Sequence, residues 1–404
     1  MRHIKTALLA AIAVGALSAP AFADDLKLGI LLGLTGPLES MSPPMVNSAK
    51  LALQEVNDQG GINGSKIDAD VADDSCITAA TATAAADKLV NTDKVVGIVG
   101  AMCSGVTIAV ANTVAIPAGI TMISPSATAP TLSTLADKDL FFRTAPSDAY
   151  NGQALAYLLT QKGIKDIGIT YINTDYGKGL AQSLADSFKA DGGTVSASVA
   201  HEDGKADYRA ELGQISATGT KALAIIAYAN GSGHTILQQA VESGDFTTYI
   251  GGDGMTDDSL FQGIDTKAVE GMIGVHPGTA SGPGPDAFVK LATAGGVDPK
   301  ATYTPESYDA AFVFALALAK NGGKTDGLPA AVRAVTSGSG ETILPGEWKK
   351  AWADLSAGKD VNYDGASGNL DFDKNGDVSG LVAELDVKGG HFVTVGPIAL
   401  PAAK

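Results

Sequence analysis

Short aliphatic and β-branched runs alternate with amphipathic, alanine-rich stretches along most of the chain. Residues 26–32 read as a strand. Residues 46–57 read as a helix, ended by Gly60-Gly61 and turned by Asn63-Gly64. Strands follow at 67–71, 95–99 and 121–123, with helices at 78–89 and 106–114 between them. The pattern then restarts. Helices are expected at 153–161, 179–189, 207–216 and 235–242, and strands at 167–172, 195–199, 222–227 and 249–250. Repeated β-α-β order implies an α/β fold with parallel sheets covered by helices. Two such series imply two lobes, jointed near 141–147, where Arg143-Thr144-Ala145-Pro146 breaks the rhythm. Residues 278–285 read as a Gly/Pro-rich loop and 306–319 as an apolar helix. Residues 381–387 and 392–395 read as a hairpin around Gly389-Gly390.

The first residues alter where this fold is expected to work. Arg2, His3 and Lys5 precede an uncharged apolar run at 7–19, and Ala21-Phe22-Ala23 follows as a small-x-small cleavage site. This is the pattern of a secretory signal peptide spanning 1–23, cleaved after Ala23. The run of about 13 residues is too short to span a bilayer. No cysteine lies nearby to carry a lipid. The expected location is therefore the periplasm. Losing Arg2 and Lys5 takes the formal charge from −16 to −18, a poor match for nucleic acid or anionic lipid. No later stretch approaches about 18 uncharged apolar residues. The only cysteines, Cys76 and Cys103, suit a bridge in an oxidising compartment, worth roughly 3–4 kcal/mol in the chain-entropy model; two buried free thiols are the alternative. His201, His234, His276 and His391 are scattered, with no CxxC, so zinc is not expected.

Catalytic signatures are sparse. There is no G-x-S-x-G elbow and no HExxH. Gly323-Lys324-Thr325 imitates the end of a P-loop, but Leu318 stands where its first glycine must be. Asp371-Phe372-Asp373-Lys374-Asn375-Gly376-Asp377 looks like the start of a calcium loop. Its twelfth position is Val382 rather than a bidentate glutamate, which favours a polar turn. We expect no catalytic residues, metal or cofactor.

Several segments together resemble one family. They are the run from Gly29 through Gly36-Pro37-Leu38, the run from Asn57 to Gly64, Asp73-Asp74-Ser75-Cys76, Met102-Cys103-Ser104, Ile123-Ser124-Pro125-Ser126-Ala127-Thr128, Phe142-Arg143-Thr144, and Asp175-Tyr176-Gly177-Lys178-Gly179. Over 26–400 the chain resembles the type I periplasmic solute-binding proteins of ABC transporters, in the branched-chain amino acid branch. The resemblance implies two Rossmann-like lobes, 24–145 plus 277–369 and 146–276 plus 370–404. Three hinge strands would join them near 144–148, 274–278 and 370–373. It implies a Cys76–Cys103 disulfide. It places the ligand carboxylate against Ser104 and the Ser126-Ala127-Thr128 loop, and the ammonium against Tyr176 and Asp253. Ser104 and Thr128 as plain helix caps, Tyr176 as a packed aromatic and Asp253 as a solvated residue are the alternatives.

The chain also departs from the family. Met41 stands where an aromatic usually faces the ligand side chain, with Glu39 close by. A cleft-facing Glu39 would favour a cationic ligand end; a solvent-facing one would leave Met41 in an apolar pocket. Tyr228-Ala229-Asn230-Gly231 lacks the paired aromatics of leucine binders. The implied function is capture of an amino acid by hinge closure and its delivery to an ABC permease, by a monomer. Two rivals stand: a sensor of amides or other small solutes, and an exported enzyme using Glu39 and Asp253.

Overall fold

The computed structural model describes residues 25–401, so the expected signal peptide at 1–23 lies outside the described residues. The first sheet is wholly parallel. In chain order its strands are β1 (Leu26–Leu32), β2 (Ile67–Asp73), β3 (Ile98–Gly100), β4 (Met122–Ser124) and β5 (Phe141–Arg143), and they lie side by side as β2-β1-β3-β4-β5. Leu28, Ile30, Leu31 and Leu32 of β1 are fully buried. This run of apolar residues without alternation marks a strand covered on both faces. One cover is the helix Thr304–Lys320, buried from Thr304 to Ala319 and packed on the helix Ser42–Asp58.

The second sheet has seven strands. It comprises β6 (Asp166–Ile172), β7 (Thr194–His201), β8 (Ala222–Ile226), β9 (Thr248–Gly251) and β10 (Ile273–Pro277), a parallel set. Two more strands follow a small pair, β11 (Glu341–Ile343) and β12 (Val361–Tyr363). These are β13 (Val382–Lys388) and β14 (His391–Pro397), the expected hairpin, which adds antiparallel to β10 and leaves β14 at the edge. The expected loop at 278–285 is shorter than read: a helix, Pro283–Ala294, begins inside it. Proline at a first helical position lacks only an N–H that would be unpaired there anyway.

The chain passes between the sheets three times, after β5, after β10 and before β13. The second and third passages meet where Gly278 N–H donates to the Leu381 carbonyl (2.8 Å). The third lies later than the resemblance implied. Residues 370–377 form no strand and stay on the first sheet, so the expected lobe boundary at 370 moves to about 378. The cause is Arg143, whose buried guanidinium needs acceptors. Asp377 pairs with its Nε at 2.6 Å, Gly376 carbonyl accepts its backbone N–H (3.0 Å), and Phe372 packs edge-on against Phe142. The calcium-like segment is accordingly a turn. Asp373 Oδ1 accepts N–H groups from Asn375 (2.7 Å) and Asp377 (3.1 Å). Among the described residues no group of three His, Cys, Asp or Glu is placed to hold a metal, and no helix is long and apolar enough to cross a membrane.

Candidate functional site: a cleft between the two sheets

The first lobe contributes the turns that follow β3 and β4. Cys76 and Cys103 are bonded, with Cα atoms 5.5 Å apart. The bridge ties the turn after β2 to the start of the helix Ser104–Val110. Asp74 holds the same corner by accepting N–H groups from Met102 (2.7 Å) and Cys76 (3.0 Å); burial pushes its pKa up to about 7. Ser104 Oγ accepts the backbone N–H groups of Thr128 (3.2 Å) and Ala129 (3.1 Å), which leaves its own proton to donate. Ser126 Oγ donates to the Met102 carbonyl (3.0 Å). Thr128 Oγ1 donates to Asp148 Oδ2 (2.9 Å), and Asn151 donates to the other Asp148 oxygen (3.0 Å).

The second lobe contributes Tyr176, Tyr228 and Asp253. Thr174 caps the helix Asp175–Ala190 by accepting Gly177 N–H (3.3 Å), which sets Tyr176 in its first turn. Tyr176 Oη donates to Asp253 Oδ1 (2.8 Å) and accepts Gly254 N–H (3.2 Å). Tyr228 stacks on Tyr176 at 5.3 Å between ring centroids. Across the cleft, Tyr303 Oη donates to the other Asp253 oxygen. Burial raises the pKa of Asp253. Asp148 is also raised, first by burial and then by the charge of Asp253. No lysine, arginine or histidine lines the cavity to balance them.

Leu38, Met41 and Met102 close the remaining side of the cavity. As it stands the space is about 20 Å³, room for about one water molecule. Two more contacts join the lobes around it: Asn230 Nδ2 donates to Ser40 Oγ (2.7 Å), and the Thr256 and Thr302 hydroxyls meet at 3.0 Å.

Of the residues named from sequence, Ser104, Ser126, Thr128, Tyr176, Asp253 and Met41 line this one cavity. Ala127 does not. Its N–H donates to Ser124 Oγ (3.0 Å) and its carbonyl accepts from Arg143 (3.3 Å), which turns it into the lobe. Glu39 is exposed and lines a separate open depression with Asp203, Lys205 and Asn230, so Glu39 and Asp253 do not meet. The sequence reading missed Leu38, Met102, Tyr228 and Tyr303 in the lining, and Asp148 behind Thr128.

The profile of the receptor family ligand binding region matches residues 45–389. Over 322 residues the chain is 31% identical to a leucine-specific-binding protein of Salmonella typhimurium, covering 79% of this chain and 85% of that one. The chain belongs to this receptor-type ligand-binding family, in its Leu/Ile/Val-binding branch. A chemotactic signal transduction system substrate-binding protein, BasB of Halobacterium salinarum, is 28% identical over 382 residues, 92% of this binding protein and 86% of BasB. The crystal structure of the leucine-binding protein LivK of Thermotoga maritima superposes with a TM-score of 0.77 at 24% identity, covering 92% of this chain and 98% of that one. The two-lobed architecture is thus the type I periplasmic binding fold.

Proposed function

We propose that this binding protein is the periplasmic substrate-binding component of an ABC importer. It captures a branched-chain aliphatic amino acid between its lobes and hands it to a membrane permease, without turnover. One observation carries the reading: a single cavity sets the free hydroxyl proton of Ser104 and the carboxylate of Asp253 beside an apolar wall of Leu38, Met41 and Met102. A zwitterion with an aliphatic side chain needs a donor, an anion and an apolar surface.

Donor and acceptor accounting assigns the two ends. Ser104 offers a proton and suits the ligand carboxylate. Thr128 has given its proton to Asp148, so it offers lone pairs only and suits the ammonium. This revises the expectation that Thr128 holds the carboxylate. Tyr176 likewise has its proton on Asp253 and acts by orienting that carboxylate. Glu39, being exposed and outside the cavity, gives no reason to favour a cationic ligand end. An amino acid exceeds the present 20 Å³ space, so the lobes must part and close again, the hinge motion of periplasmic binding proteins. Names such as leucine-specific-binding protein among its relatives support the ligand class.

The test is a thermal-shift screen of refolded mature protein against leucine, isoleucine, valine, lysine and acetamide. A ligand at 100 times its Kd adds about 2.7 kcal/mol of stability. Branched-chain amino acids should raise the midpoint, and D253A should abolish the rise. Stabilisation by lysine or acetamide alone overturns the reading.

A further inference from the structure

Beside the second passage between the lobes lies another pocket, of about 360 Å³. Its volume falls within the range of small-molecule sites, about 300–1,000 Å³. One wall is Phe288 and Val289 of the helix Pro283–Ala294, which rests on the first lobe through the ring contact of Phe288 with Tyr308. The other wall is Pro397 and Thr394 of β14, in the second lobe. Val289 is 42% exposed, and Val393 and Val395 of β14 are 39% and 54% exposed. Among the described residues Val289 is thus an exposed apolar side chain that lines this pocket, and Val393 lines the adjoining depression.

The polar groups are of one kind. His276 on β10 presents a buried Nε2 that has no hydrogen-bond partner. Lys300, Thr279 and Thr394 line the same space. No carboxylate lines it, in a chain of formal charge −16; Asp257, Asp258 and Asp298 line the adjoining depression, which shares His276, Lys300 and Thr394. The imidazole is neutral at pH 7 because burial lowers its pKa to about 4, so it can place an N–H on Nε2. Each of these four side chains can donate, and the ammonium only donates. The complementary ligand has an anionic acceptor at one end and an apolar body at the other.

We propose that this pocket is a second binding site, for a small amphipathic monocarboxylate such as a short fatty acid. Its carboxylate sits between His276 Nε2 and Lys300, and its hydrocarbon body lies on Phe288, Val289 and Pro397. The walls belong to different lobes, so an occupant contacts both and biases their separation. If the cleft reading above is right, the occupant and the cleft ligand alter each other's affinity by the same factor.

The site itself is tested without reference to the cleft. Hexanoate is titrated into mature protein while the ring resonances of His276 are followed by NMR, with hexylamine as the control. Hexanoate should give a saturable shift, hexylamine none, and V289D should weaken binding about tenfold or more. Val289 is partly in solvent, so V289D should fold; if it does not, K300E serves the same purpose. No saturable shift, an equal response to hexylamine, or an unchanged Kd in the variant overturns the proposal.

Discussion

Asp253 is bonded at both oxygens by tyrosines from opposite lobes, Tyr176 and Tyr303. Asp148 stands behind Thr128 with both oxygens satisfied. Burial raises the pKa of both carboxylates, the charge of Asp253 adds to the rise at Asp148, and a bound ammonium would relieve both. Thr128 is the link between them and the cleft. T128V removes a lone-pair acceptor and leaves Asp148 short of a donor, so leucine affinity should fall about 10- to 100-fold. T128S should stay near wild type, as calorimetric titration would read; unchanged affinity in T128V sinks the assignment. Ser104, Tyr176 and Asp253 were named from the family resemblance of the short motifs around them, and the structure brings them to one cavity. Asp148 and Tyr303 were not legible in this way. Their roles depend on partners 20 and 50 residues away, and no local pattern records such pairs.

The elements themselves were largely readable. Seven-residue β1 was read to the residue, and the helix at 306–319 differs from Thr304–Lys320 only at its ends. Failures came where composition and tertiary context disagree. Gly282-Pro283-Gly284-Pro285 has the composition of a loop, yet its prolines fall in a helix's first turn, where no N–H is needed. Residues 370–373 alternate like a strand, but Arg143, far back in the chain, claims them for the first lobe. Close packing makes one further prediction. Gly97 lies just before β3, and a Cβ there would overlap the ring of Phe314 in the helix Thr304–Lys320. G97A should therefore cost about 1–3 kcal/mol by overpacking, seen as a lower denaturation midpoint in urea. A midpoint equal to wild type would mean the ring can step aside.

Across the whole molecule, burial raises Glu55 and Asp74 to about 7 and Glu306 to about 8. Glu306 Oε2 is buried without a hydrogen-bond partner. Above the ordinary carboxylate range the unfolded chain loses these protons while the folded chain keeps them, so stability falls as pH rises. His201 and His276, lowered to about 4, act in the opposite sense, but only up to about pH 6.5. Between pH 6.5 and 8 the carboxyl groups act alone. The ligand-free protein should therefore melt lower at pH 8 than at pH 6.5. E306Q should remove about 1–2 kcal/mol of that fall, which calorimetry at the two pH values would measure; an identical fall in E306Q contradicts it.

The covering of the first sheet has a consequence for the order in which the protein can assemble. All five strands are complete by Arg143, but the helix that seals them begins at Thr304, after the whole parallel part of the other sheet. A chain emerging from its N-terminus therefore holds an unsealed aliphatic surface from Arg143 until Thr304 and the helix it starts have been made. The Cys76–Cys103 bridge joins residues 27 apart and can close during that interval; the lobe around it cannot. The half that starts first finishes late, and until then it depends on whatever shields exposed hydrophobic surface in its compartment.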